Sequence, residues 1–266
     1  MNKKKYSVNN LLDIIRKLRS SEGCPWDQIQ TSDSIKMCVI EEAYEVLDAI
    51  NRNNRNDLKE ELGDLLLQVI FQSQINSEEN NFNFDDVVNG ICNKLIRRHP
   101  HVFGLEKIDN VNDVLKKWEE IKKEEKNILG QEILPFENIS INLPSLFYSF
   151  KVQKEASKIG FDWSCSSEII NKLNEEINEL QEAINSDELD RIKDEIGDVI
   201  FTIVNLSRSF NLNPEEILIE NTEKFKKRYI KMVDLINDCE EDISKFNSKD
   251  FDVFWKKSKK YLENNN

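Results

Sequence analysis

Glycine and proline are scarce in this chain of 266 residues, which contains 7 glycines and 5 prolines. A fold of many strands needs these residues in its tight turns, so their scarcity argues against such a fold. Long hydrophobic runs are lacking too, and the apolar stretch near the N-terminus is broken by Asp13 and Arg16. We therefore expect no signal peptide and no membrane span.

Basic residues are fewer than acidic ones: the chain has 37 lysines and arginines and 50 aspartates and glutamates. Its formal net charge is −13. Binding of duplex nucleic acid requires a basic face that displaces counterions from phosphates, so we predict no direct nucleic-acid binding. A small phosphorylated ligand is compatible with this charge, because acidic side chains hold the divalent metal ions that accompany such ligands.

The cysteines are odd in number and include no C-x-x-C pair, which argues against a disulfide framework and a zinc site. We interpret them as free thiols in a reducing compartment and predict a cytoplasmic protein. Neither His99 nor His101 belongs to an E-x-x-H pair, and no Gly-rich P-loop or G-x-S-x-G occurs, so a di-iron bundle, a Walker ATPase and a serine hydrolase have no support. The five cysteines are Cys24, Cys38, Cys92, Cys165 and Cys239.

An acidic motif is written twice in the chain. E-E-x-x-E at 41–45 is followed after fifteen residues by E-x-G-D at 61–64, and the same pair of motifs recurs at 175–179 and 195–198, always 134 positions later. Lysine–arginine and tryptophan–lysine pairs with a spacing of four also recur in the same order, which indicates an internal duplication. These pairs are Lys94 with Arg98, Lys224 with Arg228, Trp118 with Lys122, and Trp255 with Lys259.

The periodicity of the apolar residues predicts helices. Apolar positions three and four apart run through 34–51, 57–78, 167–185 and 187–210, and the polar connections between them are short, which favours antiparallel helix hairpins. Ser166 or Ser167 and Asp187 are expected to start the two later helices. We predict an all-α fold of two tandem helical-bundle modules, with an N-terminal module at 1–125, a linker at 126–147 and a C-terminal module at 148–266.

The repeated acids predict a metal site. Within each motif the acids share one helix face, and antiparallel packing of the two helices brings four carboxylates together. Like charges so close repel one another unless a hard cation such as Mg²⁺, with Mn²⁺ as the alternative, neutralises them. The predicted ligands are Glu42, Glu45, Glu61 and Asp64 in the first half and Glu176, Glu179, Glu195 and Asp198 in the second.

The two repeated glycines, Trp255 and Arg191 each allow two interpretations from the sequence. Gly63 and Gly197 lie between paired acids inside helical patterns, where glycine costs about 1 kcal/mol relative to alanine, so either a ligand or a crossing helix approaches closely there. Lys224 and Arg228 share a face suited to phosphate, whereas Trp255 is either a platform for a base or a packing residue. Arg191 either reaches the same pocket or forms an i, i+4 salt bridge with Glu195.

A set of longer motifs carries a family resemblance over nearly the whole chain. They are GCPWD at 23–27, EEAYEVLDAI at 41–50, ELGDLL at 61–66, KLIRRHPHVFG at 94–104, WEEIKKEE at 118–125, GFDW at 160–163, EEINEL at 175–180, EIGD at 195–198 and KFKKR at 224–228. In these motifs the chain resembles the two-domain MazG nucleoside triphosphate pyrophosphohydrolases, of the all-α NTP pyrophosphatase superfamily.

The resemblance implies hydrolysis of NTP or dNTP substrates to the monophosphate and diphosphate, in a homodimer whose C-terminal module is the catalytic one. It implies metal binding by Glu176, Glu179, Glu195 and Asp198, and Glu175 is a candidate for accepting or orienting the proton of the attacking water. The nucleotide contacts that it implies are Lys172, Arg191, Lys224, Arg228, Trp255 and Lys259.

Two further functions stay open from the sequence. One is a narrower pyrophosphatase on the same scaffold, acting on dUTP or on a phosphoribosyl-nucleotide. The other is a non-catalytic helical dimer that senses nucleotide, binding ATP and Mg²⁺ without turnover. The complete duplicated acid set favours an enzyme.

Overall fold

A computed structural model describes residues 5–108, 110–128, 136–239 and 246–264. Within these ranges the regular secondary structure is entirely helical, which confirms the predicted all-α class. The chain divides into two compact units, Met1–Gln131 and Glu132–Asn266, and the division falls within the predicted linker 126–147. No helix in the described part of the chain has the length and apolarity that a bilayer crossing requires.

The first unit, called the N-terminal module below, has seven helices in its described residues. Polar side chains cap several of them: Ser7 forms a capping box with Asn10, and the side chain of Asn54 accepts hydrogen bonds from two backbone amides of the following turn. Pro100 cannot continue the helix before it, so that helix ends at Arg98. The seven are α1 Val8–Arg19, α2 Pro25–Gln28, α3 Lys36–Asn51, α4 Arg55–Glu78, α5 Phe84–Arg98, α6 Pro100–Phe103 and α7 Val111–Ile128.

The core of the N-terminal module lies where α1 meets the second half of α4. Helices α3 and α4 form the predicted hairpin, and α1 and α5 pack against α4. The buried apolar residues fill the space between α1 and α4, and Leu67 and Phe84 pack around them. They are Ile15, Ile35, Ile70, Phe71 and Ile75.

The second unit, called the C-terminal module below, repeats this arrangement with five helices in the part of it that the structure describes. Helices α9 and α10 form the hairpin, α8 packs against α10 as α1 does against α4, and α11 packs against α12. Met232, Ile236 and Phe254 form a buried cluster between α11 and α12. The five are α8 Ser145–Ser157, α9 Ser166–Ser186, α10 Leu189–Ser209, α11 Pro214–Asn237 and α12 Ser248–Asn264.

The turn between α9 and α10 differs from its prediction. Asp187, expected to start α10, instead ends α9 in the left-handed conformation at φ 59°, which aspartate tolerates better than most residues. Glu188 takes the N-cap position of α10 without a side-chain hydrogen bond. Helix α9 begins at Ser166, and its N-cap residue is Cys165. Neither of the two predicted serines takes the N-cap position.

Candidate active site

Carboxylates from the two hairpin helices meet in each module. Oxygens of Glu176 and Glu179 on α9 and Glu195 on α10 all lie within 4.8 Å of one another. Glu176 is buried, and the other two are half-buried. The N-terminal module has the equivalent group of Glu42, Glu45 and Glu61 within the same limit. We call these groups the C-terminal and the N-terminal acid cluster.

The fourth predicted acid of each set lies outside the three-carboxylate group. Asp198 is exposed and lines a cavity together with Glu176. Asp64 is half-buried, and it lies close enough for its negative charge to raise the pKa of both Glu42 and Glu61. Three of the four predicted acids therefore meet in each module, while Asp64 and Asp198 lie outside the groups of three.

Burial and like charge raise the pKa of several of these groups. A hydrogen bond with Glu176, burial, and the charges of Glu176 and Glu195 raise the pKa of Glu179 above its ordinary value. Burial, followed by the charges of Asp64 and Glu45, raises that of Glu42. A bound divalent cation would relieve this repulsion, and an all-oxygen donor set suits hard ions such as Mg²⁺.

Two basic side chains reach the C-terminal acid cluster. The Lys172 Nζ lies 2.6 Å from Glu175 Oε1 and 2.9 Å from Glu176 Oε1, and these two carboxylates raise the pKa of the lysine. Arg191 lies 3.7 Å from Glu195, so the salt bridge considered from the sequence is present at the edge of the cluster. Lys172 thus acts as an internal counter-ion, a role that sequence analysis did not foresee.

Among the described residues, no ion pair joins a lysine or arginine to the N-terminal acid cluster. The residue 134 positions before Lys172 is Cys38, which packs against the hydrophobic core. A neutral group serves instead, because Gln68 donates a hydrogen bond from Nε2 to Glu42 Oε1 at 3.4 Å. The two clusters therefore share their acids and differ in the charge beside them.

A cavity of about 590 Å³ adjoins the C-terminal acid cluster. Glu176, Asp198 and Lys172 line one part of it, and its walls continue along α8, α10 and the segment between α8 and α9. Four aromatic side chains line it, and most of its surface is apolar. The remaining lining residues are Phe136, Val152, Gln153, Ala156, Gly160, Phe161, Asp162, Trp163, Phe201, Thr202, Asn205 and Arg208.

The GFDW motif at 160–163 builds one wall of this cavity. Gly160 has φ 86°, a left-handed conformation that favours glycine. Both oxygens of Asp162 accept hydrogen bonds from the guanidinium of Arg208 on α10, one of them at 3.0 Å, and this partner lowers the pKa of Asp162. The sequence analysis used this motif only as part of the family resemblance, although its two aromatic residues beside an aspartate were the available signal of a binding wall.

The residues predicted to contact nucleotide from α11 and α12 do not line this cavity. Trp255 packs against the Met232, Ile236 and Phe254 cluster, and its ring lies 5.2 Å from that of Phe225, so the packing alternative describes its position. Lys224 and Lys259 are exposed, and Arg228 is half-buried. The assignment of these four residues to the nucleotide stays a prediction.

The two repeated glycines stand in open space. A Cβ atom built at Gly63 or Gly197 would have no neighbour within 4 Å among the described residues. A tight crossing of described helices therefore does not explain them, and the approach of a ligand stays a prediction.

Comparison of the sequence with known proteins identifies the family of this chain. The model of the MazG nucleotide pyrophosphohydrolase domain matches residues 30–103 and 166–233, which together are over half of the chain. The "nucleoside triphosphate pyrophosphohydrolase/pyrophosphatase MazG" of Thermotoga maritima is 42% identical over 249 residues, covering 94% of each chain. The nucleoside triphosphate pyrophosphohydrolase of Escherichia coli K12 is 41% identical over 84% of this chain and 85% of its own.

Two further relatives are less complete matches. The uncharacterized protein YabN of Bacillus subtilis is 40% identical over 96% of this chain and 52% of its own length. A crystal structure of a MazG-related protein from Thermotoga maritima is 28% identical and covers 43% of this chain with a TM-score of 0.38, too low to support a structural comparison. From the two domain matches and the nearly full-length relatives, we conclude that the chain belongs to the MazG family of nucleotide pyrophosphohydrolases.

Proposed function

We propose that the C-terminal module hydrolyses nucleoside and deoxynucleoside triphosphates between the α and β phosphates, releasing the monophosphate and diphosphate in a Mg²⁺-dependent reaction. The family assignment, and the names of the relatives from Thermotoga maritima and Escherichia coli as nucleoside triphosphate pyrophosphohydrolases, support hydrolysis of nucleoside triphosphates in general. The free cysteines favour a reducing, cytoplasmic compartment.

The observation that carries this proposal is the C-terminal acid cluster beside a cavity. Three carboxylates converge to within 4.8 Å, next to a partly open cavity of about 590 Å³. Glu176 is only 5% exposed, and Lys172 is a single positive charge beside three converging carboxylates, so burial of the remaining like charges is costly. A metal ion and a phosphorylated ligand together suit this combination of acids and cavity.

Four residues would hold Mg²⁺ or Mn²⁺ in this module: Glu176, Glu179, Glu195 and Asp198. The group fits the ion because its donors are all carboxylate oxygens and because the raised pKa of Glu179 records repulsion that a cation would remove. When bound, such an ion neutralises phosphate charge and activates water for attack. The Asp198 carboxylate, exposed at the cavity, lies where the cluster faces a ligand.

The remaining charges of the site belong to the chain itself. Lys172 holds Glu175 at 2.6 Å, which fixes the direction of the carboxylate that we assign to accept or orient the proton of the attacking water. Arg191 at the edge of the cluster is 40% exposed, so it is free to turn from Glu195 towards a phosphate. Lys224, Arg228 and Lys259, with Trp255 beside them, are assigned to the outer phosphates and to the leaving diphosphate.

A dimer completes the proposal. Ile170, Ile177 and Ile184 recur every seven residues on α9, so they share one helix face, and their exposed fractions are 42–49%. Ile196, Ile200 and Ile203 on α10 are exposed to 44–45%. Apolar rows of this length mark an interface between chains. We expect Ile177→Lys to halve the molar mass in light scattering, and an unchanged mass would contradict this interface.

The test of the catalytic proposal is the release of pyrophosphate from a panel of NTPs and dNTPs with Mg²⁺. We expect Glu179→Gln to reduce turnover by at least about 100-fold with an unchanged helical circular-dichroism signal. Glu45→Gln, the matched variant of the N-terminal acid cluster, serves as the control. Binding of ATP and Mg²⁺ without pyrophosphate release would favour the nucleotide sensor, and turnover confined to dUTP or a phosphoribosyl-nucleotide would favour the narrower enzyme.

A further inference from the structure

One arginine of α10 holds two polar side chains of the cavity wall. The Arg208 guanidinium donates hydrogen bonds to both carboxylate oxygens of Asp162, and its Nη2 also donates to Asn205 Oδ1 at 2.7 Å. All three residues line the cavity. The Arg208 side chain is only 12% exposed, so water competes little for these bonds.

These contacts fix the orientation of the Asn205 amide. A guanidinium only donates hydrogen bonds, so the atom turned towards Arg208 must be the amide oxygen. The amide nitrogen, Nδ2, is the polar atom that Asn205 has left for a ligand, because it donates to no acceptor among the described residues. It is not one of their buried, unpartnered atoms, so solvent reaches it. Asn205 therefore presents hydrogen-bond donors to the cavity.

The asparagine–arginine pair is particular to the C-terminal module. Counted from the repeated acids of α4 and α10, Asn205 corresponds to Phe71 and Arg208 to Gln74. Phe71 is buried in the core, and Gln74 donates its hydrogen bond to Glu78 instead. The repeated hairpin thus forms without this pair, so folding alone does not account for its presence beside the cavity.

We propose that Asn205 is a specificity-determining residue that selects nucleobases with a carbonyl oxygen, and that Arg208 is a positioning residue that keeps the Asn205 amide in its donating orientation. The inference rests on the proposed function, because Glu176, Lys172 and Asp198 line the same cavity and join it to the acid cluster. Asp198 and Asn205 lie two turns apart on one face of α10. One nucleotide along this face would have its phosphates at the acids and its base at Asn205.

The selection follows from the polarity of a donating amide. Uracil, thymine, guanine and hypoxanthine carry a carbonyl oxygen at the position where cytosine and adenine carry an amino group. The carbonyl oxygen accepts from Nδ2, whereas an amino group would bring its hydrogens against those of Nδ2 and leave both donors unpaired. Without Arg208 the amide can turn over and meet either group with the atom that the group requires.

The first experiment measures kcat/KM for pyrophosphate release from ITP and ATP, and from UTP and CTP. We expect the wild-type protein to favour the carbonyl base of each pair by about tenfold. Asn205→Asp keeps the shape of the side chain and replaces its donor by an acceptor, so the preference should pass to ATP and CTP. Asn185→Asp, exposed and outside the cavity lining, adds the same charge and should keep the wild-type preference. Equal use of both bases by the wild type, or an unchanged preference in Asn205→Asp, would overturn the selection.

The second experiment separates positioning by Arg208 from support of the fold. Arg208→Gln should bring the ratio of kcat/KM for ITP and ATP close to one, because glutamine can pair with either end of the Asn205 amide. Arg208→Lys, which keeps a donor there, should restore the preference, and Ser207→Ala is the neighbouring control. A common loss for all four nucleotides with unchanged ratios would refute the positioning role. Should Arg208→Gln not fold, Asp162→Asn, which removes the charge that holds the guanidinium, takes its place with the same expected loss of preference.

The third experiment distinguishes failure of the selection from failure of the catalytic proposal. IMP and AMP are the products expected from ITP and ATP, and titration calorimetry with Mg²⁺ measures their binding without turnover. We expect IMP to bind about tenfold more tightly than AMP, and Asn205→Asp to reverse this order. If no triphosphate releases pyrophosphate while IMP keeps its advantage, the catalytic proposal fails alone. If all four triphosphates are hydrolysed and the two monophosphates bind equally, the selection fails alone.

Discussion

The two modules carry the same acids in different surroundings. Each brings three glutamates to within 4.8 Å, yet the C-terminal acid cluster has Lys172 and a cavity beside it, whereas the N-terminal acid cluster has Gln68 and a filled core. The shared acids give each module the same group of carboxylate oxygens. The two groups differ in the charge and the space beside them, so the acidic motif by itself does not distinguish the two modules.

The arginines of the two modules differ in the same way. Arg98 Nη2 lies 2.6 Å from Glu125 Oε2, and Arg97 Nε lies 2.6 Å from the other oxygen of that carboxylate. Hydrogen bonds from the arginines lower the pKa of Glu125 to about 2. Counted from Trp118 and Trp255, the residue in place of Glu125 is Leu262. The arginine of the N-terminal module is therefore committed to a carboxylate that its counterpart Arg228 does not meet at that position.

The largest expected effect is a loss of folding stability when the buried core of the N-terminal module is opened. Phe71→Ala should destabilise the N-terminal module by about 3–5 kcal/mol, because it leaves a void among Ile15, Ile70 and Ile75. Asn205→Ala, the matched change in the C-terminal module, should cost under about 1 kcal/mol, since its site is already hollow. Urea denaturation followed by circular dichroism measures both. Similar losses in the two variants would remove the distinction between filled and hollow modules.

The second effect is a dependence of stability on pH. The folded pKa of Glu125 lies below the ordinary value of 4.5, so its ion pairs stabilise the fold at pH values above about 4.5. This contribution, about 3 kcal/mol, is lost as the pH falls from 4.5 towards 2. Glu125→Gln should flatten that part of the stability curve. Urea denaturation at a series of pH values measures the change, and a curve parallel to the wild type would contradict the assigned ion pairs.

The third prediction concerns whether the ion pair with Glu125 prevents Arg98 from binding phosphate. In protein already carrying Glu179→Gln, Glu125→Leu reproduces Leu262 and leaves Arg98 available. We expect binding of Mg²⁺-tripolyphosphate to strengthen about tenfold, measured by titration calorimetry. Glu124→Leu is the neighbouring control and should leave the affinity unchanged. No gain from Glu125→Leu would mean that something other than this carboxylate separates the modules.

The smallest effect concerns the glycine between the acids. Gly63→Ala should stabilise the N-terminal module by up to about 1 kcal/mol, because alanine favours the helix and its Cβ would meet nothing within 4 Å. Gly197→Ala should give a similar gain unless a ligand or second chain approaches there, in which case KM or the molar mass changes. Thermal unfolding, kinetics and light scattering on the same two variants distinguish these cases.

Sequence periodicity predicted the hairpins because it reports local geometry. The ranges 57–78 and 187–210 agree closely with α4 and α10, and the spacing of the acids foretold which carboxylates meet. The pairing of Lys172 with Glu175 also follows from a spacing of three on one helix, although that interpretation was not made. Asp187 was assigned wrongly because the residue types that start helices also occupy the left-handed position that ends them.

The cavity was out of reach of sequence periodicity. It depends on how α8 meets α10 and on side chains far apart in the chain, such as Ala156 and Asn205. Trp255 was considered as a base platform because a tryptophan near lysines suits either role, and only its contacts with Phe225 and Phe254 show packing. Comparison of the two halves position by position would have marked Phe71 against Asn205 as a difference to follow.

Helix α10 carries two of the acids, Glu195 and Asp198, and part of the cavity wall, so it fixes the distance between them. Asp198 and Asn205 are seven residues apart, which a rigid helix converts to about 10 Å along its axis. A ligand that touched both Asp198 and the cavity wall at Asn205 would have to span this interval, which the register of one helix determines. Inserting a single residue between Asp198 and Asn205 would turn one end by about 100° relative to the other and separate the two sites without altering a single contacting side chain.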